Sequence, residues 1–217
     1  MAALTIVVGN KRYSSWSLRG WLAVRLSGGT FDEVVINMKK PDTTARMLSY
    51  GPTGKVPVLK HGDITVWESL AIIEYIAETF PAAMLWPTDR AARAHCRASS
   101  TEMHSGFQSL RQQMSMDVVR PQIDRTPNEG TATDIARITT LWREARQKYG
   151  ANGPFLYGAP SVADCMYAPV AAGRFHTFKV KLDPVSAAYV DTILNWAPMQ
   201  EWTAAARAET DVIAEYD

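Results

Sequence analysis

Three short clusters of this chain carry side chains that could do chemistry: Tyr13-Ser14-Ser15-Trp16-Ser17-Leu18-Arg19, Lys55-Val56-Pro57-Val58-Leu59 and Trp67-Glu68-Ser69. The serines fall between an apolar, β-branched run and a run with helical spacing, so their hydroxyls gather at a helix N-terminus. Hydroxyls and backbone N–H groups there donate toward negative charge in the positive field of the helix dipole. Such a site suits a thiol, which at a pKa of about 8.5 is only a few per cent thiolate at neutral pH. Each unit of downward shift corresponds to about 1.4 kcal/mol of preferential thiolate stabilisation. Serine is also a preferred helix N-cap, so the same hydroxyls read equally as caps alone, with Ser17 capping a helix that starts near Leu18.

The other two clusters favour a ligand. A proline inside a strand-like run removes a ladder donor and belongs at an edge or bulge, where backbone is open to pairing. Glu68 and Ser69 open a helix with a carboxylate and a hydroxyl, a pair that can receive an ammonium group and a carboxylate. Taken alone, Glu68 is also an ordinary first-turn acid complementing the dipole. Together the clusters describe a site that holds a short peptide by its backbone and aims hydroxyl protons at one of its atoms.

The elements that must position them alternate over the first eighty residues. Leu4–Val8 reads as a strand; Leu18, Trp21, Leu22, Val24 and Leu26 follow a helical period that Gly28-Gly29 stops. Phe31–Met38 reads as a second strand, and strand, helix, strand implies a right-handed crossover and a parallel pair. Pro41 to Tyr50 is a short polar helix or an irregular segment. Val56–Lys60 and Ile64–Trp67 flank the hairpin signal His61-Gly62-Asp63, and Ser69 onward is helical until Pro81. The composition then changes and no strand is expected. Ala91 to about Val119 reads as one long helix, Asp134 to Tyr149 as another, and Ser161 with Asp164 as a capping-box variant opening a helix to about Phe175, bent near Pro169. Ser186–Asn195 and Met199–Ala208 complete the helical part.

The bulk properties exclude several function classes. A chain of 217 residues with 47% hydrophobic content can bury a proper core, and a net charge of +1 argues against a nucleic-acid or membrane partner. No run of about 18 apolar residues is present, and Leu4–Val8 is too short for a signal segment. Cys96 and Cys165 read as core thiols of a reducing compartment, and no metal is expected, because neither they nor His61, His95, His104 and His176 have ligand spacing. Trp21, Trp86, Trp142 and Trp202 suit packing.

The order of the motifs resembles the cytosolic glutathione S-transferase superfamily, nearest to the zeta class, which includes maleylacetoacetate isomerases. The motifs are Ser-Ser-x-Ser-x-Arg after the first strand, x-Val-Pro-x-Leu, Glu-Ser-x-Ala-Ile-x-x-Tyr-Ile, and a late Ser-x-Ala-Asp box. The resemblance implies an α/β plus all-α architecture: a thioredoxin-like, glutathione-binding domain over residues 1–81, a linker over 82–89, and an all-helical domain over 90–217 that forms the electrophile site. It implies glutathione as co-substrate, no metal, a small apolar electrophile, a cytoplasmic homodimer and a detoxification role. The catalytic candidates are Ser14 and Ser15, with Ser14 at the family's activating position and Ser15 and Ser17 as alternates. Glutathione is expected against Ser14, Ser15, Trp16, Val56, Pro57, Glu68 and Ser69, with a cis bond before Pro57 and with Lys40 and Lys55 for the glycyl carboxylate. Trp16, Gln108 and Arg111 are the electrophile-site candidates, and Arg19 is either part of the pattern or a structural ion-pair partner. Zeta enzymes carry cysteine where this chain has Trp16, an indole that narrows the thiol site or offers the electrophile an aromatic wall. The alternatives are a glutathione-dependent cis-trans isomerase and a non-catalytic transferase fold that recruits a protein partner.

Overall fold

The computed structural model describes residues 3–214. Its sheet has the order β2-β1-β3-β4, with β1 Leu4–Gly9, β2 Phe31–Ile36, β3 Val58–His61 and β4 Ile64–Trp67. β1 and β2 are parallel, pairing Ile6 with Glu33; β3 is antiparallel to β1, pairing Ile6 with Leu59. β3 and β4 form the expected hairpin, which turns at Gly62 with φ +59°.

Side-chain alternation along β1 divides the core. Leu4, Ile6 and Val8 point to one face, where they pack with α1 Ser15–Leu26 and α3 Ser69–Thr79. Val7 points to the other, where Ile36, Val58 and Met47 of α2 Thr43–Leu48 meet it. Each fully buried aliphatic contributes roughly 1.5–3 kcal/mol relative to exposure. α1 is buried almost all round, Leu18, Trp21, Leu22 and even Arg19 included, as befits a helix between the sheet and the helical region.

The helical region comprises α4 Arg90–Ser105, α5 Gln108–Gln113, α6 Glu129–Tyr149, α7 Val162–Val170, α8 Pro184–Leu194 and α9 Ala197–Ala208. The single helix expected over 91–119 is broken. Gly106 is extended and Phe107 sits at φ +62°, so the chain turns between α4 and α5. The Arg111 guanidinium donates to the carbonyls of Met103 and Gly106, satisfying acceptors that the end of α4 leaves free. The bend near Pro169 becomes an end. α7 stops at Val170 and Ala171–Phe175 continues with a wider pitch, closed by the His176 N–H on the Ala171 carbonyl at 3.0 Å. The Ser161–Asp164 capping box is present, and the buried carboxylate also accepts from Leu156 N–H and the Tyr189 hydroxyl. Trp21, Trp142 and Trp202 are core residues, and both cysteines are buried. Among the described residues no helix is long and apolar enough to cross a membrane.

After α9 the chain returns to the sheet. Glu209 accepts the backbone N–H groups of Lys11 at 2.7 Å and Arg12 at 3.2 Å, and the Ile213 N–H donates to the Tyr13 hydroxyl at 3.3 Å. The Trp202 indole N–H holds the Lys11 carbonyl at 2.8 Å. This segment straps down the loop that delivers the serine cluster.

Candidate functional site

The strapped loop turns on Asn10, whose carbonyl accepts the N–H groups of Tyr13 and Ser14 at 3.2 and 2.9 Å. Ser14 is then the N-cap of α1, its Oγ accepting the Ser17 N–H at 3.3 Å. The helix therefore begins at Ser15 rather than near Leu18. Ser17, one turn in, is no cap: its buried Oγ accepts the Gly9 N–H at 3.0 Å and the Ser14 hydroxyl at 2.8 Å, tying strand to helix. Ser15 Oγ has no hydrogen-bond partner among the described residues and lines a cavity beside Ser14.

That first cavity, about 250 Å³, is bounded by Ser14, Ser15, Trp16 and Met38 on one side and by Arg111, Met116 and Arg174 on the other. Its cationic wall is unusual. Arg111 and Arg174 of that wall, and Arg19, which lies against Trp16 without lining the cavity, form no ion pair among the described residues. Arg19 is fully buried; its Nε donates to the Met166 carbonyl at 2.9 Å while both terminal nitrogens lack partners. Burial, then Arg111 and Arg174, push its pKa well below the ordinary arginine value. Arg174 is brought down to about 9 by burial and then by Arg111, and its Nε is likewise unpartnered. The ion-pair role expected as one option for Arg19 is not what the fold provides. Its guanidinium carbon lies 4.6 Å from the Trp16 ring centroid and that of Arg111 lies 4.7 Å away, so both cations rest on the indole.

A second cavity, about 290 Å³, lies across Trp16 and is lined by Thr53, Lys55, Val56, Pro57, Glu68 and His104. The Val56–Pro57 bond is cis. Glu68 stands at the head of α3 with φ +69°, a backbone conformation uncommon for a residue with a side chain. Ser69 follows, fully buried, its hydroxyl without a partner.

The fold thus gathers Ser14, Ser15, Trp16 and Arg111 around one cavity and Trp16, Lys55, Val56, Pro57 and Glu68 around the other, with Ser69 next to Glu68. It leaves two candidates outside. Lys40 Nζ is 2.5 Å from Asp211 of the returning tail and lines neither cavity. Gln108 is exposed at the start of α5, its side chain on the Ser105 carbonyl at 3.4 Å. Residues not anticipated are Arg174, which reaches the site from the wide turn after α7, and His104 of α4. His104 had no usable signal in its spacing to Gln108 and Arg111, because the chain turns at Gly106-Phe107 between them. Another hollow, about 640 Å³, lies between the start of α6 and Phe178–Asp183 and contains none of the candidate residues.

A family model described as the N-terminal domain of glutathione S-transferase matches residues 13–79. The maleylacetoacetate isomerase of Rattus norvegicus is 31% identical over 175 residues, covering 78% of this chain and 77% of that one. Among solved structures, a bacterial zeta-class maleyl pyruvate isomerase superposes with a TM-score of 0.71 at 21% identity, covering 96% of this chain and 100% of that one. A glutathione transferase homologue from a Burkholderia strain, BGR1, solved with bound glutathione, gives 0.71 at 20% identity, covering 95% and 100%. Structures this distant show the fold, and the rat relative shows the family. The chain belongs to the glutathione S-transferase superfamily, on its zeta-like branch, and is an enzyme of that family.

Proposed function

We propose that this enzyme binds glutathione across the second cavity, with the thiol end beside Ser14 and Ser15, and turns it on a small electrophile that carries a carboxylate. The orphaned Ser69 hydroxyl, buried next to Glu68, supports the fit: it awaits an acceptor or donor that the described residues do not supply. The open backbone at Val56 suits an extended peptide, and Lys55 is the cation left to its carboxylate end.

The observation that carries the reading is a pair of arginines, Arg111 and Arg174, without carboxylate partners among the described residues and lining a cavity shared with a free serine hydroxyl, with Arg19 buried against Trp16 nearby. Their mutual repulsion is relieved by a bound anion, so this wall favours an acidic electrophile over the purely apolar one that the sequence suggests. Ser15 Oγ, unengaged within the fold, donates to the sulfur; Ser14 shapes the turn and adds the helix-terminal field.

A second reading, glutathione-dependent cis-trans isomerisation, is favoured by the same wall together with the isomerase relatives. Glutathione supplies a nucleophilic thiol that either stays on the product as a thioether or leaves again once the former double bond has turned. Product analysis separates the two. Purified protein is titrated with glutathione by calorimetry, then assayed with matched acidic and neutral conjugated alkenes. A thioether supports transfer; an isomerised acid with glutathione recovered supports isomerisation. No heat of binding at millimolar glutathione defeats both.

A further inference from the structure

Asp117, just past the end of α5, carries a fully buried carboxylate. It takes the Arg12 guanidinium in a fork, with Nε 3.0 Å from both oxygens and Nη2 2.8 Å from Oδ2. Oδ1 also accepts the backbone N–H groups of Val119 and Arg120 at 2.9 Å, and Arg120 Nε stands 3.6 Å from Oδ2. The backbone is tied as closely. Asp117 N–H donates to the Gly173 carbonyl and Val118 N–H to the Arg12 carbonyl, each over 3.3 Å, and the Thr177 hydroxyl donates to the Asp117 carbonyl at 3.1 Å.

Those bonds join three segments that each supply a wall of the first cavity. Arg12 precedes Tyr13, Ser14 and Ser15; Ser115 and Met116 lead into Asp117; Gly173 is followed by Arg174. Met116 lies so near the wide turn that a Cβ on Gly173 would stand 2.3 Å from its Cγ, so these two walls are packed on each other. The serine loop is held to them by the Arg12–Asp117 pair. Neither member of the pair lines either cavity, so it bears on the chemistry only through its neighbours. A buried ion pair is weak evidence for stability, and in some proteins it is retained because it fixes one arrangement of the parts it joins.

Resting on the reading of an acidic electrophile above, we propose that Asp117 is a positioning residue that, through Arg12, sets the spacing between the Ser15 hydroxyl and the Arg174 guanidinium across the first cavity. The electrophile must meet both at once, its reacting carbon at the sulfur beside Ser15 and its carboxylate on the arginine. That spacing therefore governs turnover of an acidic electrophile. Glutathione, held mainly in the second cavity, and a neutral electrophile, which needs no arginine, depend on it far less.

The test measures kcat/KM for the matched acidic and neutral conjugated alkenes and the calorimetric affinity for glutathione, each below the melting temperature of the variant. Asp117→Asn keeps an acceptor for the backbone N–H groups but loses the charge; Arg12→Met removes the fork, and Arg12→Lys keeps a charge without it. Asp117→Asn and Arg12→Met are each expected to lower kcat/KM for the acidic alkene by about 10- to 100-fold. The neutral alkene and glutathione affinity change by less than about threefold, and Arg12→Lys falls between wild type and Arg12→Met. The double variant is no worse than the poorer single one, because the two residues act as a unit. Equal losses for both alkenes, losses that add in the double variant, or no loss at all overturn the assignment. If Asp117→Asn does not fold, the comparison of Arg12→Lys and Arg12→Met with wild type decides alone. Absence of glutathione binding, or of any preference for the acidic alkene, in wild type overturns the parent reading and this one with it, and the wild-type measurements alone distinguish that case.

Discussion

The hydroxyl of Ser14 donates to Ser17 Oγ over 2.8 Å, and Ser17 Oγ in turn holds the Gly9 N–H. Two of the three clustered serines are thereby occupied with joining β1 to α1, and only Ser15 has an uncommitted hydroxyl facing the cavity. Ser15→Ala is expected to lower kcat by about 10- to 100-fold with little change in glutathione affinity. Ser17→Ala strands a buried N–H and should cost roughly 1–3 kcal/mol in urea unfolding. Normal turnover in Ser15→Ala beside an inactive, fully stable Ser14→Ala would transfer the role to Ser14.

Arg174 tests the anionic electrophile. It is almost wholly buried, has an unpartnered Nε and lines the first cavity. Arg174→Met removes a charged donor while keeping length. KM for a carboxylate-bearing electrophile should rise by about 10- to 100-fold, and KM for a neutral aryl halide by much less. Parallel changes in both would show that the arginine serves packing.

The strap from the C-terminal segment is measurable through Glu209. Its carboxylate takes two backbone N–H groups, and burial holds its pKa above the usual carboxylate range. Glu209→Gln leaves a single acceptor oxygen for two donors. A loss of roughly 1–3 kcal/mol, or about 2–12 °C in Tm, is expected, with a fall in kcat because the same loop delivers Ser14 and Ser15. Unchanged Tm and kcat would mean that the loop holds itself.

Asp164 makes a pH prediction. Burial pushes its carboxyl up to about 6, against hydrogen bonds from Ser161, Leu156 and Tyr189 that pull it down. The folded protein therefore binds this proton more tightly than the unfolded chain, where aspartate ionises near pH 3.9, roughly the free value. With the folded value raised, the contribution to stability is full below about pH 4 and is lost as pH rises through about 6. The unfolding free energy of wild type relative to Asp164→Asn, which does not titrate, should fall by roughly 3 kcal/mol across that window. A difference constant from pH 4 to 7 would contradict the raised value.

Much of the fold is legible in local residue order. The β-branched runs, the Gly62 turn, the stop before Pro81 and the Ser161–Asp164 box each act over a few residues, and each element appears where those signals lie. The break at Gly106-Phe107 is less legible, because it is sealed by Arg111 reaching back to carbonyls of α4.

By itself the sequence determined the order of strands and helices, the family, and the serine, Val56-Pro57 and Glu68-Ser69 clusters, since these depend on neighbours along the chain. Only the tertiary structure decided which serine is free, that Lys40 meets Asp211, that Gln108 faces outward, and that His104 and Arg174 reach the cavities. Those outcomes are contacts between segments far apart in sequence. They are set by which buried polar atoms find partners once the core has closed, and residue spacing carries no record of that.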